Sequence, residues 1–379
     1  MTPTVVSKTT AKIACLCGAI SEPGTLLDAE QFPVPTTICV CSTCRATTGT
    51  FGALAVPLKS APSTTSLKAC DNYSASAACS RYFCGRCGSK VFFSHQDDGR
   101  WFTSAGSIDR HDDQKGSIDT CSLTESIYTS SATRDGGMVG RMVQNADLAS
   151  QEMKCYSKDR DGEPVKLSEA PKLWRAPSTD TTEATQAQST SVDLSCHCEG
   201  IKLKLLPASA HAGNAGSDLL NRWTRGIGKD RKWVAKLCVC RSDRLTFGTP
   251  MMAWTYLFPE CIQTPDGEAV PFPRDQSSYN STDLSEISCL RTLKIYHSSE
   301  GVKRSFCGRC GASIFFEHVN RVKDEPYIID VAPGLIRSDS SALAENLLSW
   351  DWEWVSWPGE NENRAWLDTL TGGRTLLRK

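Results

Sequence analysis

The sequence predicts a mainly β protein built from two tandem domains. One cysteine pattern occurs twice, in the same order along the chain. Apolar residues fall in short β-prone runs, whereas long stretches with helical periodicity are scarce. The motif cysteines are Cys15, Cys17, Cys39, Cys41, Cys44, Cys84 and Cys87 in the first copy and Cys196, Cys198, Cys238, Cys240, Cys307 and Cys310 in the second.

The end of the motif is nearly the same text in both copies. Residues 82–93 read YFCGRCGSKVFF and residues 305–316 read SFCGRCGASIFF. The offset between matching cysteines grows along the chain, from 181 to 199 and then to 223 residues. Insertions between intact motifs are typical of one scaffold whose surface loops vary. The second copy is therefore predicted to carry two longer loops.

Three segments follow from this repetition. The first domain covers residues 11–135 and the second covers residues 192–358. Residues 136–191 between them are interpreted as a tail and a flexible linker, because residues 176–191 contain almost no large apolar side chain.

Short strands are the predicted elements within each copy. Residues 91–93 and 314–316 are β-prone, residues 201–205 alternate apolar and polar side chains, and residues 327–331 form a further candidate. Trp350, Trp352 and Trp354 alternate along a last strand. Its aromatic face is expected to pack on the core rather than to form a ligand platform.

Composition predicts a soluble cytoplasmic protein. The amino-terminal segment lacks the apolar run of a signal peptide, and no stretch is apolar enough to span a bilayer. The chain has 42 basic and 43 acidic residues, and neither copy has the positive surplus typical of nucleic-acid modules. In a reducing compartment, nineteen cysteines do not form a disulfide framework. Paired cysteines at short spacing therefore indicate metal ligands.

The seven motif cysteines of the first copy divide into four and three. Cys15, Cys17, Cys84 and Cys87 form two chelating pairs, as in a closed structural zinc site. Reduced core thiols or a redox couple are the alternatives for such pairs. Cys39, Cys41 and Cys44 form a compact group, called the first claw here, with no obvious fourth ligand. It is interpreted as an open catalytic zinc site, with a second structural zinc as the alternative.

CxCG, CxCSxCR and FCxxCG, in this order, resemble the glutathione-dependent formaldehyde-activating family, also called the CENP-V/GFA domain. The resemblance covers residues 11–135 in full and residues 192–358 more weakly. It implies two tandem zinc-stapled β-tent domains, with a structural zinc on the quartet and a catalytic zinc on the first claw. It also implies a zinc-dependent carbon–sulfur lyase that acts on glutathione or a related small-molecule thiol adduct, of the S-hydroxymethylglutathione synthase type.

The residue after the first claw, Arg45, is a candidate catalytic residue. Its guanidinium would balance the charge of the three thiolates or hold a substrate carboxylate. A surface salt bridge is the alternative role.

The second copy departs from the pattern in its own claw, which consists of Cys238, Cys240 and Asp243. Asp243 stands where the first copy has Cys44. Because carboxylate is a harder ligand than thiolate, and because Arg241 and Arg244 would compete for it, this site is expected to be weak or lost. Cys196, Cys198, Cys307 and Cys310 would still staple the domain. A degenerate copy leaves one alternative function for the chain, a zinc-stapled interaction module without catalysis.

Overall fold

A computed structural model of the 379-residue chain describes residues 7–112, 118–131, 136–145, 153–160, 162–174, 191–211, 217–273, 284–319, 321, 327–338 and 342–374. Apart from Ser191, the predicted linker at residues 176–191 lies outside the described residues.

The first half of the chain forms two sheets. One has the strand order β2-β1-β9, and the other has nine strands in the order β12-β11-β10-β3-β4-β8-β7-β6-β5. The strands are β1 (Ala11–Ala14), β2 (Ser21–Pro23), β3 (Val34–Cys39), β4 (Ala53–Pro57), β5 (Cys70–Ser76), β6 (Cys79–Cys84), β7 (Lys90–His95), β8 (Trp101–Ser104), β9 (Ile108–Arg110), β10 (Cys121–Ile127), β11 (Lys154–Cys155) and β12 (Val165–Lys166).

The second half repeats the order of the large sheet. A three-stranded sheet, β13-β14-β18, accompanies a larger sheet with the order β15-β16-β17-β22-β21-β20-β19. β23 lies parallel to β16, just as β10 lies parallel to β3. The strands are β13 (Val192–Ser195), β14 (Lys202–Leu205), β15 (Thr224–Arg225), β16 (Lys232–Cys238), β17 (Met252–Leu257), β18 (Ile262–Gln263), β19 (Leu293–Ser299), β20 (Val302–Cys307), β21 (Ser313–His318), β22 (Ile329–Val331) and β23 (Leu348–Ser356).

The α-helices of the described residues are short. They are α1 (Ser42–Thr48), α2 (Thr64–Lys68), α3 (Gly137–Gln144), α4 (Ser217–Trp223), α5 (Arg241–Phe247) and α6 (Arg364–Thr371). Among the described residues, no helix has the length and apolar character needed to cross a membrane. The fold is mainly β, as the sequence predicts.

The predicted strands are found with small shifts. In β14, Leu203 and Leu205 are buried while Lys202 is exposed, which follows the alternation seen in the sequence. The strand predicted at residues 327–331 begins at Ile329. In β21 even the polar Ser313 is buried, because the strand is covered by both neighbours and by the other half.

The tryptophan strand only partly matches its prediction. Trp350 and Trp352 stack on each other at 4.7 Å and contact Phe51 of the first half. A bulge in β23 then shifts the register, since Asp351 pairs with Lys236 whereas the next pair is Val355 with Leu237. Beyond the bulge, Trp354 lies under the ammonium of Lys236. The expectation of one common aromatic face is therefore wrong for Trp354.

The segment after the first domain is part of the fold. Met138 and Val139 of α3 are buried in the first core, and β11 and β12 extend the large sheet. Trp366 and Leu367 of α6, which lie beyond residue 358, are buried in the same core. The first core therefore includes chain from both sides of the predicted boundaries.

The two halves meet around an approximate twofold arrangement. The Phe83 and Phe306 rings lie edge to face, with their centroids 6.3 Å apart. The Gly106 amide donates to the carbonyl of Gly248 at the end of α5, and the Gly334 amide donates to the carbonyl of Gly49 at the end of α1. Each half thus packs a short 3₁₀ helix against the helix that follows the claw of the other half.

Gly334→Ala is expected to destabilise this junction. A Cβ at this position would lie 2.3 Å from the Thr50 carbonyl oxygen and 2.4 Å from its nitrogen, so the backbone of one half must move. Overpacking of this kind costs about 1–3 kcal/mol, which calorimetry detects as a lower Tm. Gly359→Ala is the matched control, because a Cβ there meets no atom within 4 Å. Equal Tm values for the two variants would contradict the described junction.

Candidate metal centres and active site

The first quartet of thiols is brought together by β1, β6 and the turns that follow them. The Cys17 Sγ lies 3.6 Å from the Sγ of Cys15 and 3.6 Å from that of Cys84. A tetrahedral zinc with Zn–S bonds of about 2.3 Å has its sulfur atoms about 3.8 Å apart. The four sulfur atoms, including that of Cys87, all lie within 4.8 Å of one another. The quartet therefore fits a closed tetrahedral metal site.

The second quartet has the same geometry. The Cys198 Sγ lies 3.6 Å from the Cys196 Sγ and 3.5 Å from the Cys307 Sγ. Cys310 completes a set whose sulfur atoms are all within 4.8 Å. The Thr292 hydroxyl, 3.2 Å from the Cys307 Sγ, is a hydrogen-bond partner for this thiol. Both quartets are mostly buried, which suits a structural rather than a reactive role.

Glycine is required at the end of each CxxC turn. Gly88 and Gly311 have φ values of +73° and +79°, in the left-handed region that disfavours other residues. Each also faces the junction between the halves, since a Cβ on Gly88 would lie 2.4 Å from the Phe306 ring. The CxxC knuckles of both quartets thus also form part of the contact between the halves.

The first claw is built at the start of α1. Cys39 ends β3, Cys41 is the N-cap of α1, and Cys44 lies in the first turn of that helix. The Cys44 amide donates to the Cys41 Sγ at 3.3 Å, and the Cys39 and Cys41 Sγ atoms are 3.5 Å apart. Hydrogen bonds from the neighbouring thiols of Cys39 and Cys44 lower the pKa of Cys41 to about 2. The backbone N–H of Cys44 at the start of the helix makes a smaller contribution in the same direction.

Arg81 of β6 is the cation that contacts the first claw. Its Nη2 donates to the Cys44 Sγ at 2.9 Å, and the guanidinium lies 5.8 Å from the centre of the Phe93 ring. The sequence analysis missed this residue. The signal was present, because Arg81 and Arg304 stand three residues before Cys84 and Cys307, each within an otherwise repeated motif.

The Arg45 guanidinium binds the backbone of the loop that carries the first claw. Its Nη1 donates to the Val40 carbonyl at 2.6 Å, across the loop that carries the first claw. The side chain is half-buried. This bond stabilises the loop, whereas Arg81 provides the positive charge beside the sulfur atoms.

The second half contributes to the surroundings of the first claw. The His197 amide, in the knuckle of the second quartet, donates to the Ala46 carbonyl of α1 at 3.2 Å. Its Nδ1 lies 2.7 Å from the Tyr73 hydroxyl. Burial, with help from nearby arginines, lowers the pKa of His197, while the negative charge of Cys41 opposes this. The imidazole is therefore held neutral within electrostatic reach of the claw.

Tyr128 lies beside the first claw from the side of β10. Burial and then negative neighbours, including the claw thiols, raise the pKa of the Tyr128 hydroxyl. Its φ of +58° is in the left-handed region, and Trp357, the residue that follows β23, has a φ of +60°. Strained backbone at an aromatic residue next to each claw is typical of functional sites.

The second claw has a different electrostatic partner. The Asp243 carboxylate accepts one hydrogen bond from Arg304 and another from the Trp254 indole at 2.9 Å. Although burial opposes ionisation, these partners hold the pKa of Asp243 below its usual value. Cys238, Cys240 and Asp243 offer three ligand atoms within 4.8 Å of one another. A metal ion at this claw would therefore have to share Asp243 with two protein donors.

The predicted competition from Arg241 and Arg244 is wrong. Both residues form ion pairs with Asp109 of the first half, and Arg244 also pairs with Glu362. The sequence shows that they are close to Asp243, but it does not show that α5 turns them toward the other half. Arg304, which is distant in sequence, takes the expected place beside Asp243.

Comparisons with known proteins agree with the motif evidence. No curated protein and no solved structure matches the chain significantly. The family model of the glutathione-dependent formaldehyde-activating enzyme matches residues 10–130, the region that holds the first quartet and the first claw. Residues 10–130 of this chain are therefore similar to the glutathione-dependent formaldehyde-activating enzyme family.

Proposed function

We propose that the first half is a zinc-dependent carbon–sulfur lyase that joins glutathione and formaldehyde, or releases them, through S-hydroxymethylglutathione. The family match supports activation of formaldehyde with glutathione. The observation that carries the proposal is the first claw, which gathers three thiols at a helix start without a fourth cysteine, histidine or carboxylate among the described residues of the cluster. Such a donor set leaves a coordination position for substrate.

The charges of the first claw suit zinc. Three thiolates and one Zn²⁺ carry a formal charge of −1, and Arg81 brings the sum to zero. When bound, zinc would supply a Lewis acid and lower the pKa of a substrate thiol. Because Arg81 donates a hydrogen bond to the Cys44 Sγ, the free-energy cost of burying its guanidinium is partly offset.

The reaction itself needs few catalytic groups from the protein. The thiol sulfur of glutathione forms a bond to the carbonyl carbon of formaldehyde, and the carbonyl oxygen receives the proton that the thiol gives up. Tyr128 and His197 are assigned to hold this oxygen, because Tyr128 follows Ile127, which pairs with Cys39, and the His197 amide donates to Ala46 of α1. Tyr73 occupies Nδ1 of His197 and leaves Nε2 as the nitrogen that can bind substrate. The second half would thereby complete the active site of the first.

The second half is proposed to be a degenerate copy that has lost this reaction. Its claw lacks the third thiol, and Asp243 is neutralised by Arg304 without any metal. Its quartet fits a structural zinc, so the second half would keep its fold. The substrate of the protein would then be a small thiol adduct bound at one site per chain.

The proposal is tested by the exchange between free formaldehyde and S-hydroxymethylglutathione, followed by NMR. Zinc-loaded protein is expected to accelerate exchange with glutathione more than with cysteamine, a thiol without carboxylates. Cys41→Ala should abolish the acceleration, whereas Cys240→Ala, the equivalent change in the second claw, should preserve it. A rate equal to that without protein, or equal losses in the two variants, would refute the proposed function.

The asymmetry of the claws gives a separate prediction on metal binding. Asp243→Cys is expected to raise the zinc content by one per chain, because it restores a third thiolate beside Arg304. Cys44→Asp should make the zinc of the first claw labile to a chelator, since Arg81 would then pair with a carboxylate as Arg304 does. Zinc content and release rate are measured with a colorimetric chelator. Four equally inert zinc ions in the unmodified protein would contradict the asymmetry.

A further inference from the structure

A large cavity lies over the second claw. Its volume is about 960 Å³, at the upper end of the range of about 300–1,000 Å³ for small-molecule sites. Cys238, Cys240 and Asp243 line it, and Leu16 from the first half also contributes to its lining. The proposed lyase reaction does not use this space, because it takes place at the first claw.

The walls of this cavity are aromatic, and cations lie over their rings. The Lys236 ammonium lies 4.5 Å from the ring centre of Trp354 and 5.9 Å from that of Tyr256. The Arg304 guanidinium lies 4.8 Å from the centre of the Phe316 ring. The lining includes six arginine or lysine residues and four acidic ones, so positive charge is in excess. Flat apolar surfaces with positive charge favour an aromatic anion.

Two further features of the lining point to a ligand. The Trp223 side chain lines the cavity and is only 7% exposed, yet its Nε1–H has no acceptor among the residues that the structure describes. Burying an N–H donor costs free energy unless an acceptor takes its hydrogen bond. Trp357, also in the lining, is 65% exposed although it is a large apolar side chain. Its left-handed backbone conformation adds strain at the same place.

Only part of the aromatic lining is specific to the second half, since Arg304 and Phe316 have the counterparts Arg81 and Phe93 in the first half. In the first half, β3 pairs Thr37 with Ala55, whereas the matching pair in the second half is Lys236 with Trp254. A cation and an indole thus replace two small side chains beside the claw. The second half has gained binding chemistry at the place where it lacks the third thiol.

We propose that the cavity over the second claw is a zinc-independent binding site for an aromatic organic anion. The aromatic walls would sandwich the flat body of the ligand, and Lys236 would pair with its anionic group. Trp223 would donate its indole N–H to the ligand, and Trp357 would cover the entrance. The second half would accordingly act as a binding domain attached to a catalytic one.

The test uses 8-anilinonaphthalene-1-sulfonate with the full-length, zinc-loaded protein. One molecule per chain is expected to bind, with fluorescence enhancement and quenching of tryptophan emission. Neutral N-phenyl-1-naphthylamine, which lacks the sulfonate, should bind at least about tenfold more weakly, since a charged hydrogen bond contributes about 1.5–3 kcal/mol. Equal binding of the two probes would overturn the requirement for an anion.

Variants locate the probe within the molecule. Lys236→Thr, which introduces the first-half residue, should weaken sulfonate binding about tenfold or more. Trp357→Gly should also weaken it, and the fold is expected to tolerate this change because the side chain is exposed and glycine accepts the positive φ. Lys68→Thr, an exposed lysine on α2, and Cys41→Ala, in the first claw, are expected to leave the affinity unchanged. Unchanged affinity in both cavity variants, with unchanged Tm, would overturn the proposal.

Discussion

Cys41→Ala is expected to remove one zinc ion per chain and to lower the proposed lyase activity about 10²–10³-fold, as the loss of a principal electrostatic group does in other enzymes. Cys41 is the N-cap of α1 and the one thiol of the first claw whose pKa is lowered, while the pKa values of Cys39 and Cys44 are raised. Without it, Cys39 and Cys44 remain as two thiols beside the guanidinium of Arg81. Two such ligands do not hold zinc in a stable site.

The fold should survive this change. The quartet of Cys15, Cys17, Cys84 and Cys87 is a separate set of ligands, and its sulfur atoms are unaffected. Zinc content, Tm and exchange rate are therefore measured on the same sample. Full activity in Cys41→Ala would exclude the catalytic role, and a large fall in Tm would mean that the first claw is a structural site.

Cys84→Ser is expected to unfold the first half, a larger effect on stability than that of any other substitution considered. Structural zinc contributes apparent binding free energies of about 10–16 kcal/mol in small domains, whereas whole domains are stable by about 5–15 kcal/mol. Cys84 ends β6 and is completely buried, so a serine there loses the metal and leaves a buried hydroxyl. The Tm should fall by roughly 10 °C or more.

Cys79→Ser is the matched control, because Cys79 begins the same strand and belongs to none of the four candidate metal groups among the described residues. It should change the Tm little. Cys307→Ser tests the second quartet in the same way. If Cys84→Ser kept its zinc and its Tm, the quartet would not be a metal site, and the stability of the domain would have to come from its core alone.

Local patterns in the sequence were enough to predict much of the fold. Apolar alternation located β14, and the repeated CxxC located the ends of β6 and β20, because a strand and a knuckle depend on neighbouring residues. The grouping of Cys39, Cys41 and Cys44 also followed from spacing, since the end of β3 and the first turn of α1 lie only a few residues apart. These features depend on chain geometry over a few residues.

The partners of the claws were not predictable in this way. Arg81 reaches Cys44 across 37 positions, and His197 reaches Tyr73 across 124. The Arg81 contact depends on the four strand pairings that connect β3 to β6 in the large sheet. The His197 contact depends on how the two halves meet. The error about Arg241 and Arg244 has the same cause, because proximity in sequence was taken for proximity in space, while both side chains bind Asp109.

The reciprocal glycine contacts between the halves have a consequence for how this protein evolves. In a symmetric homodimer, one mutation alters both copies of a site, so no subunit can change its metal ligands while its partner keeps them. Here the two partners are encoded separately within one chain and remain joined through Gly106 and Gly334. A substitution at position 243 therefore leaves the ligands of the first site unchanged. Covalent fusion would allow the second site to acquire a new specificity while the first claw keeps its three thiols.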